Sequence, residues 1–473
     1  MLQPGSVRRL IPGYTYRTDG SRLAHQAAVV AGAFAALEVT DTHLFPHRVP
    51  QGELVFGCLV GLTYALLAIA LILVYKANRI INFAVAEFGV FGAIVFQNLQ
   101  GEHLPWFASL LAGITSAGAA GFVMERFLTR RFARSSRLIL SVATIGMAQF
   151  VAFGEIEVAR HFGTIPASGG LRTPLSDFTF VIGGATFDGN AILLAVVAVA
   201  TLIALEVFLH RSAYGIALRA AAENAPRAAL LGIPVKKVST LAWVIAAVIA
   251  GIATVLHAPM TGVIAGGTVV GPTLLYKSLA VAVIADFSDL RVAVLAGLLL
   301  GMVGQSITYA YSGSPITDAM YIAVIIAVLL ARCPQVGRIV DAAASSWKTI
   351  SEVRRIPRSA AREPRVVSVR AGAVRAGAVI SASVLLVAGP LGLSGTYRFD
   401  ASDVLVFALV AISCVVVTGW SGQISLGQFA LAAVGAVTSG KLFAQAHWDF
   451  FASINPPRGD WRLQPSGESG LGP

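Results

Sequence analysis

The chain has 473 residues, of which 56% are hydrophobic and 12% charged, with a mean hydropathy of +0.76 and a formal charge of +11. Soluble domains carry about 25% charged residues, so an ordinary soluble protein is excluded and a polytopic membrane protein is indicated. The basic residues lie in loops between apolar runs and not on one soluble face, so the charge reports membrane orientation and not nucleic-acid binding. The three cysteines, Cys58, Cys333 and Cys414, are widely spaced, with no CxxC and no nearby histidine cluster, and read as packing residues.

Residues 1–51 form a poorly defined N-terminal extension. Arg8, Arg9, Arg17 and Arg22 precede an apolar run at 26–37 that is shorter than the roughly 20 residues a span requires. It is either a weak signal-like segment or, in the preferred reading, an extension upstream of the true start. From Gly52 the spans follow closely. Apolar runs predict helices at 52–75, 81–99, 104–124, 137–155, 190–209, 238–258, 272–285, 290–309, 317–332, 376–393, 402–419 and 424–446. The fold class is therefore an all-α polytopic membrane protein of about 12 transmembrane helices.

Loop charges orient these helices. Arg126, Arg130, Arg131, Arg134 and Arg137 mark one cytoplasmic loop, Arg211, Arg219, Arg227, Lys236 and Lys237 a second, and the basic segment after the 317–332 helix a third. Alternation then places 156–189 and 259–271 outside, and runs the helices 52–75 and 402–419 in the same direction. Outside, the stretch from Asp177 to Asn190, DFTFVIGGATFDGN, predicts a small hairpin around Gly183 and Gly184. Inside, 333–375 reads as a flexible or partly helical basic linker that favours the anionic lipid surface.

One pattern is written twice. With an offset of 343 residues, Tyr64–Ile94 lies without a gap on Phe407–Val437: Ala65, Leu66, Ala68, Ile69, Val74, Ile81, Gly92 and Ala93 recur as Ala408, Leu409, Ala411, Ile412, Val417, Ile424, Gly435 and Ala436. Both copies read as apolar helix, short polar break, apolar helix. Parallel repeats of whole transmembrane units mark transporters built from two related halves. The second copy reads as truncated, through a frameshift near Ala452 or a similar event, with 447–473 a polar tail; the alternative is a short tail on a complete protein.

The cytoplasmic stretch Tyr214–Ile233, YGIALRAAAENAPRAALLGI, predicts an Ala-rich helix closed by Leu231-Gly232-Ile233. Its pattern of Arg219, Ala220, Glu223 and Ala228 before that stop resembles the coupling loop of ABC importer permeases. The version in branched-chain amino-acid permeases is the most similar. The stretch 61–93, GLTYALLAIALILVYKANRIINFAVAEFGVFGA, resembles the opening of the first of that family's two permease subunits. RLILSVATIGMAQF, at 137–150, looks like its fourth helix, and GWSGQISLGQFALAAVGA, at 419–436, resembles the signature near the start of the second subunit. The chain thus resembles the first permease subunit fused to the beginning of the second. The implied domains are 1–51, the extension; 52–332, a first permease domain; 333–375, the linker; 376–446, the start of a second permease domain; and 447–473, the tail. Where this chain has Ala285-Asp286 the family commonly has a Gly-Gly turn.

The resemblance implies a permease component of an ATP-driven importer of branched-chain amino acids or related small polar solutes, in the cell membrane. It implies cytoplasmic ABC ATPase subunits gripping the loop, an extracytoplasmic substrate-binding protein, membrane lipid and a second permease half as partners. No cofactor or metal is implied for this chain, and ATP is used by the partner subunits. Polar residues within apolar runs are costly, which makes Asn78, Asn82, Glu87, Gln423, Ser425 and Gln428 candidates for a translocation pathway; hydrogen bonds between helices are the plainer role for the same residues. The segment 435–441, GAVTSGK, fits the start of a phosphate-binding loop, but Leu442 stands where Ser or Thr must hold magnesium, and the segment ends an apolar helix. The sequence alone leaves an ion-gradient-driven secondary transporter, or an inactive truncated permease, as rivals. Glu87 would be central to the first of these.

Overall fold

The computed structural model describes residues 49–132, 137–162, 173–261, 270–311, 315–331, 395–421 and 428–446. The predicted helix at 376–393, the linker and the tail lie outside them, as does all of the extension but its last residues.

The helices of the first unit run α1 (Gln51–Asn78), α2 (Val85–Gly101), α3 (Trp106–Met124) and α4 (Arg137–His161), followed by a hairpin of β1 (Thr179–Ile182) and β2 (Ala185–Asp188). Then come α5 (Gly189–Arg211), the short α6 (Ala213–Glu223) and α7 (Ala225–Leu230), α8 (Val235–Thr261), α9 (Val270–Ile284), α10 (Leu290–Tyr311) and α11 (Pro315–Ala331). Six of the described helices are long and apolar enough to cross a membrane: α1, α3, α4, α5, α8 and α10. At 17 and 15 residues, α2 and α9 span only about 25 and 22 Å, less than a hydrocarbon core of about 30 Å.

The axis of this unit is α1. Its residues 64–74 are buried without interruption, and α10, α8, α9 and α5 pack around it. Apolarity on every side suits either lipid or a bundle centre, and α1 takes the centre whereas the equally apolar α5 is largely uncovered. The tightest seam is with α10, where Gly57, Gly61 and Ala65 at four-residue spacing face Gly297 and Gly301. A Cβ on Gly301 would stand 2.3 Å from the Gly57 carbonyl oxygen and 2.5 Å from the Gly61 Cα. Small residues on both faces let the two backbones touch, which is how helices associate where lipid offers no hydrophobic contrast.

The predicted hairpin forms, antiparallel with Thr179 opposite Asp188 and Phe180 opposite Phe187. Its two-residue turn has positive φ at both Gly183 (54°) and Gly184 (86°), the geometry that demands such residues. It sits on the start of α1, where the Gly52 amide donates to the Gly183 carbonyl at 3.1 Å.

Three sequence expectations need correction. The helix predicted from 81 begins only at Val85, because Arg79 closes α1 in a left-handed conformation (φ 55°) and the Asn82 side-chain Oδ1 accepts the Ala84 amide at 3.0 Å. An asparagine side chain that bonds its own backbone competes with helix there. The helix predicted to end at 155 runs on to His161. The single helix expected over 214–233 is two, α6 and α7, divided at Asn224. Pro226 has no N–H to give the carbonyl of Ala222, and Asn224 starts a new helix by accepting the Arg227 amide on Oδ1 at 3.0 Å.

The second unit contains α12 (Gly395–Ser421) and α13 (Gln428–Ala446). Helix α12 ends and α13 begins 343 residues after α1 ends at Asn78 and α2 begins at Val85. The GAVTSGK stretch lies wholly inside α13, where a phosphate-cradling loop is impossible.

Candidate coupling and translocation sites

At the end of the bundle where the bases cluster, α6 lies over a cleft of about 830 Å³. Arg219 and Glu223 line it together with Lys76, Arg79, Glu206 and Asp289. The carbonyl that Pro226 leaves without a helical partner is recovered from a distance: Arg79 Nη2 donates to the Ala222 oxygen at 2.9 Å. Arg79 is the residue that ends α1. The last turn of α6 is therefore held by the break between α1 and α2.

Beyond α6, Ala220 accepts the Asn224 amide at 3.2 Å, and Ala228 is the buried residue of α7. The chain then turns sharply. Gly232 (φ 81°) and Ile233 donate to the carbonyls of Ala229 and Ala228, both at 3.0 Å, and Ile233 returns to the core. At the tip, Leu230 and Leu231 stand 88% and 79% exposed. Two adjacent leucines so exposed on a charged loop form an apolar tip suited to a protein partner. All seven residues predicted for the coupling loop thus fall in α6, α7 or their closing turn.

The candidate pathway residues are placed differently. Asn78 accepts from Ser239 Oγ at 3.0 Å, tying α1 to α8. Asn82 is buried, and its Oδ1 accepts the Ala84 amide in the turn that precedes α2. Glu87, in the first turn of α2, is 3% exposed and meets Glu155 of α4, itself 1% exposed; Glu87 Oε2 and both Glu155 oxygens lack any other described hydrogen-bond partner. The Glu87 carboxyl rests on the first turn of α9, where a Cβ on Gly271 would stand 2.2 Å from Oε1. Two helix N-termini therefore face this acid, which favours a carboxyl at that point. Gln428 opens α13, and Gln423 and Ser425 lie outside the described residues.

None of Asn78, Asn82 and Glu87 lines the cavity at the opposite end. That cavity, of about 390 Å³, is lined by the apolar Phe56, Val60, Val270 and Leu274 and by the polar His257, Thr273, Gln305, Thr308 and Thr317, with Lys277 of α9 and Asp318 of α11 as its charges. Lys277 Nζ lies 3.8 Å from Asp318 Oδ1, and 5.8 and 5.6 Å from the ring centres of Tyr64 and Tyr321. The Tyr276 hydroxyl donates to the same Asp318 oxygen. The Tyr321 hydroxyl donates to the Leu300 carbonyl at 3.0 Å and fixes its ring edge-on to Tyr64. Sequence reasoning passed over Lys277, Asp318 and Glu155, although each is an ionisable residue in or at the end of an apolar run, the same signal that singled out Glu87.

A bundle of apolar helices around a buried axis, with a loop of exposed leucines at one end and a charged cavity at the other, defines a multi-pass membrane permease. Residues 53–329 match the family described as branched-chain amino acid transport system, permease component, and the chain belongs to that family. It is 31% identical over 294 residues to the high-affinity branched-chain amino acid transport system permease protein BraD of Pseudomonas aeruginosa, covering 59% of this chain and 93% of that protein. With the corresponding permease LivH of Salmonella typhimurium it shares 29% over 289 residues, 58% of this chain and 91% of the relative. Among solved structures, PsaBC from Streptococcus pneumoniae in complex with Fab matches with a TM-score of 0.37 and 14% identity, covering 64% of this chain and 94% of that one. The protein is accordingly a permease component of an ABC transport system of the branched-chain amino acid type, seated in the cell membrane.

Proposed function

We propose that the protein is the membrane-embedded permease of an ATP-driven importer of branched-chain amino acids, coupled to separate cytoplasmic ATPases through α6 and α7. The observation that carries this reading is the loop's construction. An apolar tip, Leu230-Leu231, projects from a short helix whose neighbour is bonded through Arg79 to the break between α1 and α2. An ATPase that grips the tip and moves it on closing would pull on the end of the central helix. ATP state and substrate then bias one conformational equilibrium, which is the requirement for pumping. A soluble binding protein would deliver substrate at the end carrying the hairpin and the 390 Å³ cavity. ATP is bound by the partners and not by this chain.

The matching positions of the breaks after Asn78 and Ser421 support the reading of 376–446 as the start of a second permease unit parallel to the first, in a membrane domain of about 12 helices. The test is affinity capture of the full chain from membranes, with an ATPase sought in the eluate by mass spectrometry and Gly232→Arg as control. Recovery that the control loses supports the docking loop; absence of an ATPase from well-folded protein overturns it.

A further inference from the structure

The cavity between α1, α8, α9, α10 and α11 has the composition of a site for a whole amino acid. Its volume of about 390 Å³ falls in the lower part of the roughly 300–1,000 Å³ range of small-molecule pockets. Opposite charges, Lys277 and Asp318, come from different helices; Phe56, Val60, Val270 and Leu274 supply an apolar wall, and His257, Thr273, Gln305, Thr308 and Thr317 a polar one. An ion pair at membrane depth is costly to desolvate and is weak evidence for stability, so its presence in a cavity points to use.

The geometry of the pair suits exchange. Among the described residues the Lys277 ammonium is paired with Asp318, at the long separation of 3.8 Å, beside two tyrosine faces and the His257 ring. Contact with rings leaves ammonium protons for an incoming carboxylate. The Tyr276 hydroxyl donates to Asp318 Oδ1, the same oxygen that faces Lys277, and the Asp318 side chain is half-buried. Tyr64 and Tyr321 are held in a fixed edge-to-face arrangement, so the ring surfaces are preorganised.

Resting on the amino-acid permease reading above, we propose that this cavity is a zwitterion site. The substrate α-carboxylate meets Lys277, its α-ammonium meets Asp318, and its aliphatic side chain lies against Phe56, Val60, Val270 and Leu274. The test uses the full chain with its ATPases in lipid nanodiscs, and tritiated L-leucine as the probe, without a binding protein. Saturable binding is expected, displaced by unlabelled leucine but not by equal concentrations of 3-methylbutylamine or 4-methylpentanoate, which each lack one charge. Lys277→Met and Asp318→Asn should each weaken binding by about tenfold or more, the factor corresponding to about 1.4 kcal/mol, while Lys277→Arg stays within about threefold. Thermal melting and retention of the ATPase by each variant verify the fold. Unchanged leucine binding in folded Lys277→Met and Asp318→Asn, equal displacement by the one-charge analogues, or no saturable binding in a complex that retains its ATPase would overturn the site while leaving the permease reading standing. Loss of the ATPase from the unaltered chain would overturn that reading instead.

Discussion

Replacing Gly301 by Ala tests whether the seam between α1 and α10 is the structural centre of the unit. The added Cβ would stand 2.3 Å from the Gly57 carbonyl oxygen, 2.5 Å from the Gly61 Cα and 2.7 Å from the Gly61 amide nitrogen, where ordinary contacts begin near 3.4 Å. All three obstacles are backbone, so no side chain can rotate aside and the two helices must part by about 1 Å at this level. Backbone-on-backbone overpacking at 2.3 Å falls at the upper end of the usual cost, about 3 kcal/mol, and the higher helix propensity of Ala returns about 0.5–1 kcal/mol, for a net loss of about 2 kcal/mol. Gly146 of α4 is the matched control, with nothing within 4 Å of its Cβ position, so Gly146→Ala should be neutral or slightly stabilising. Unfolding midpoints of the purified variants in one detergent measure the difference. A Gly301→Ala protein as stable as Gly146→Ala would show that α1 and α10 do not approach as described.

Further outcomes follow from single contacts. Gly271→Ala should destabilise the bundle by pushing the Glu87 carboxyl away, and most of that loss should vanish when Glu87→Ala is added, a coupling a double-mutant cycle reads in the same unfolding assay. Phe287 holds a positive φ of 49° in the turn after α9, yet Phe287→Gly should lower stability, because the lost packing on the core and on the Tyr75 ring at 4.8 Å outweighs about 1–2 kcal/mol of relieved backbone strain, which thermal unfolding would show. Arg79→Ala should leave the ATPase bound but uncouple its hydrolysis from substrate, since the bond to the Ala222 carbonyl is lost along with the stacking over Tyr75, and an ATPase assay with and without substrate would detect this.

Much of this was legible because it rests on local chemistry. The hairpin follows from Gly183-Gly184 between β-rich residues, and the polar break before α2 from Asn78 to Asn82. The turn expected at Ala285-Asp286 lies one residue later, with Asp286 and Phe287 in the left-handed geometry and Ala285 outside it. What stayed hidden depends on long-range approach. Nothing in the spacing of Glu87 and Glu155, 68 positions apart, says that they meet. Lys277 and Asp318 likewise become one site only when α9 and α11 pack against α1. The division of the coupling loop was within reach, because Asn224 and Pro226 carry a helix start of their own. The Ala-rich composition around them pointed to one helix.

The most direct measurement is leucine accumulation by proteoliposomes containing the full chain, its co-purified ATPases and the binding protein. The account predicts uptake that requires ATP, stops with vanadate, persists when ionophores collapse every ion gradient, and is lost in Gly232→Arg. Uptake that needs no ATP and ends with the ionophores would contradict it, and would make the protein a gradient-driven carrier.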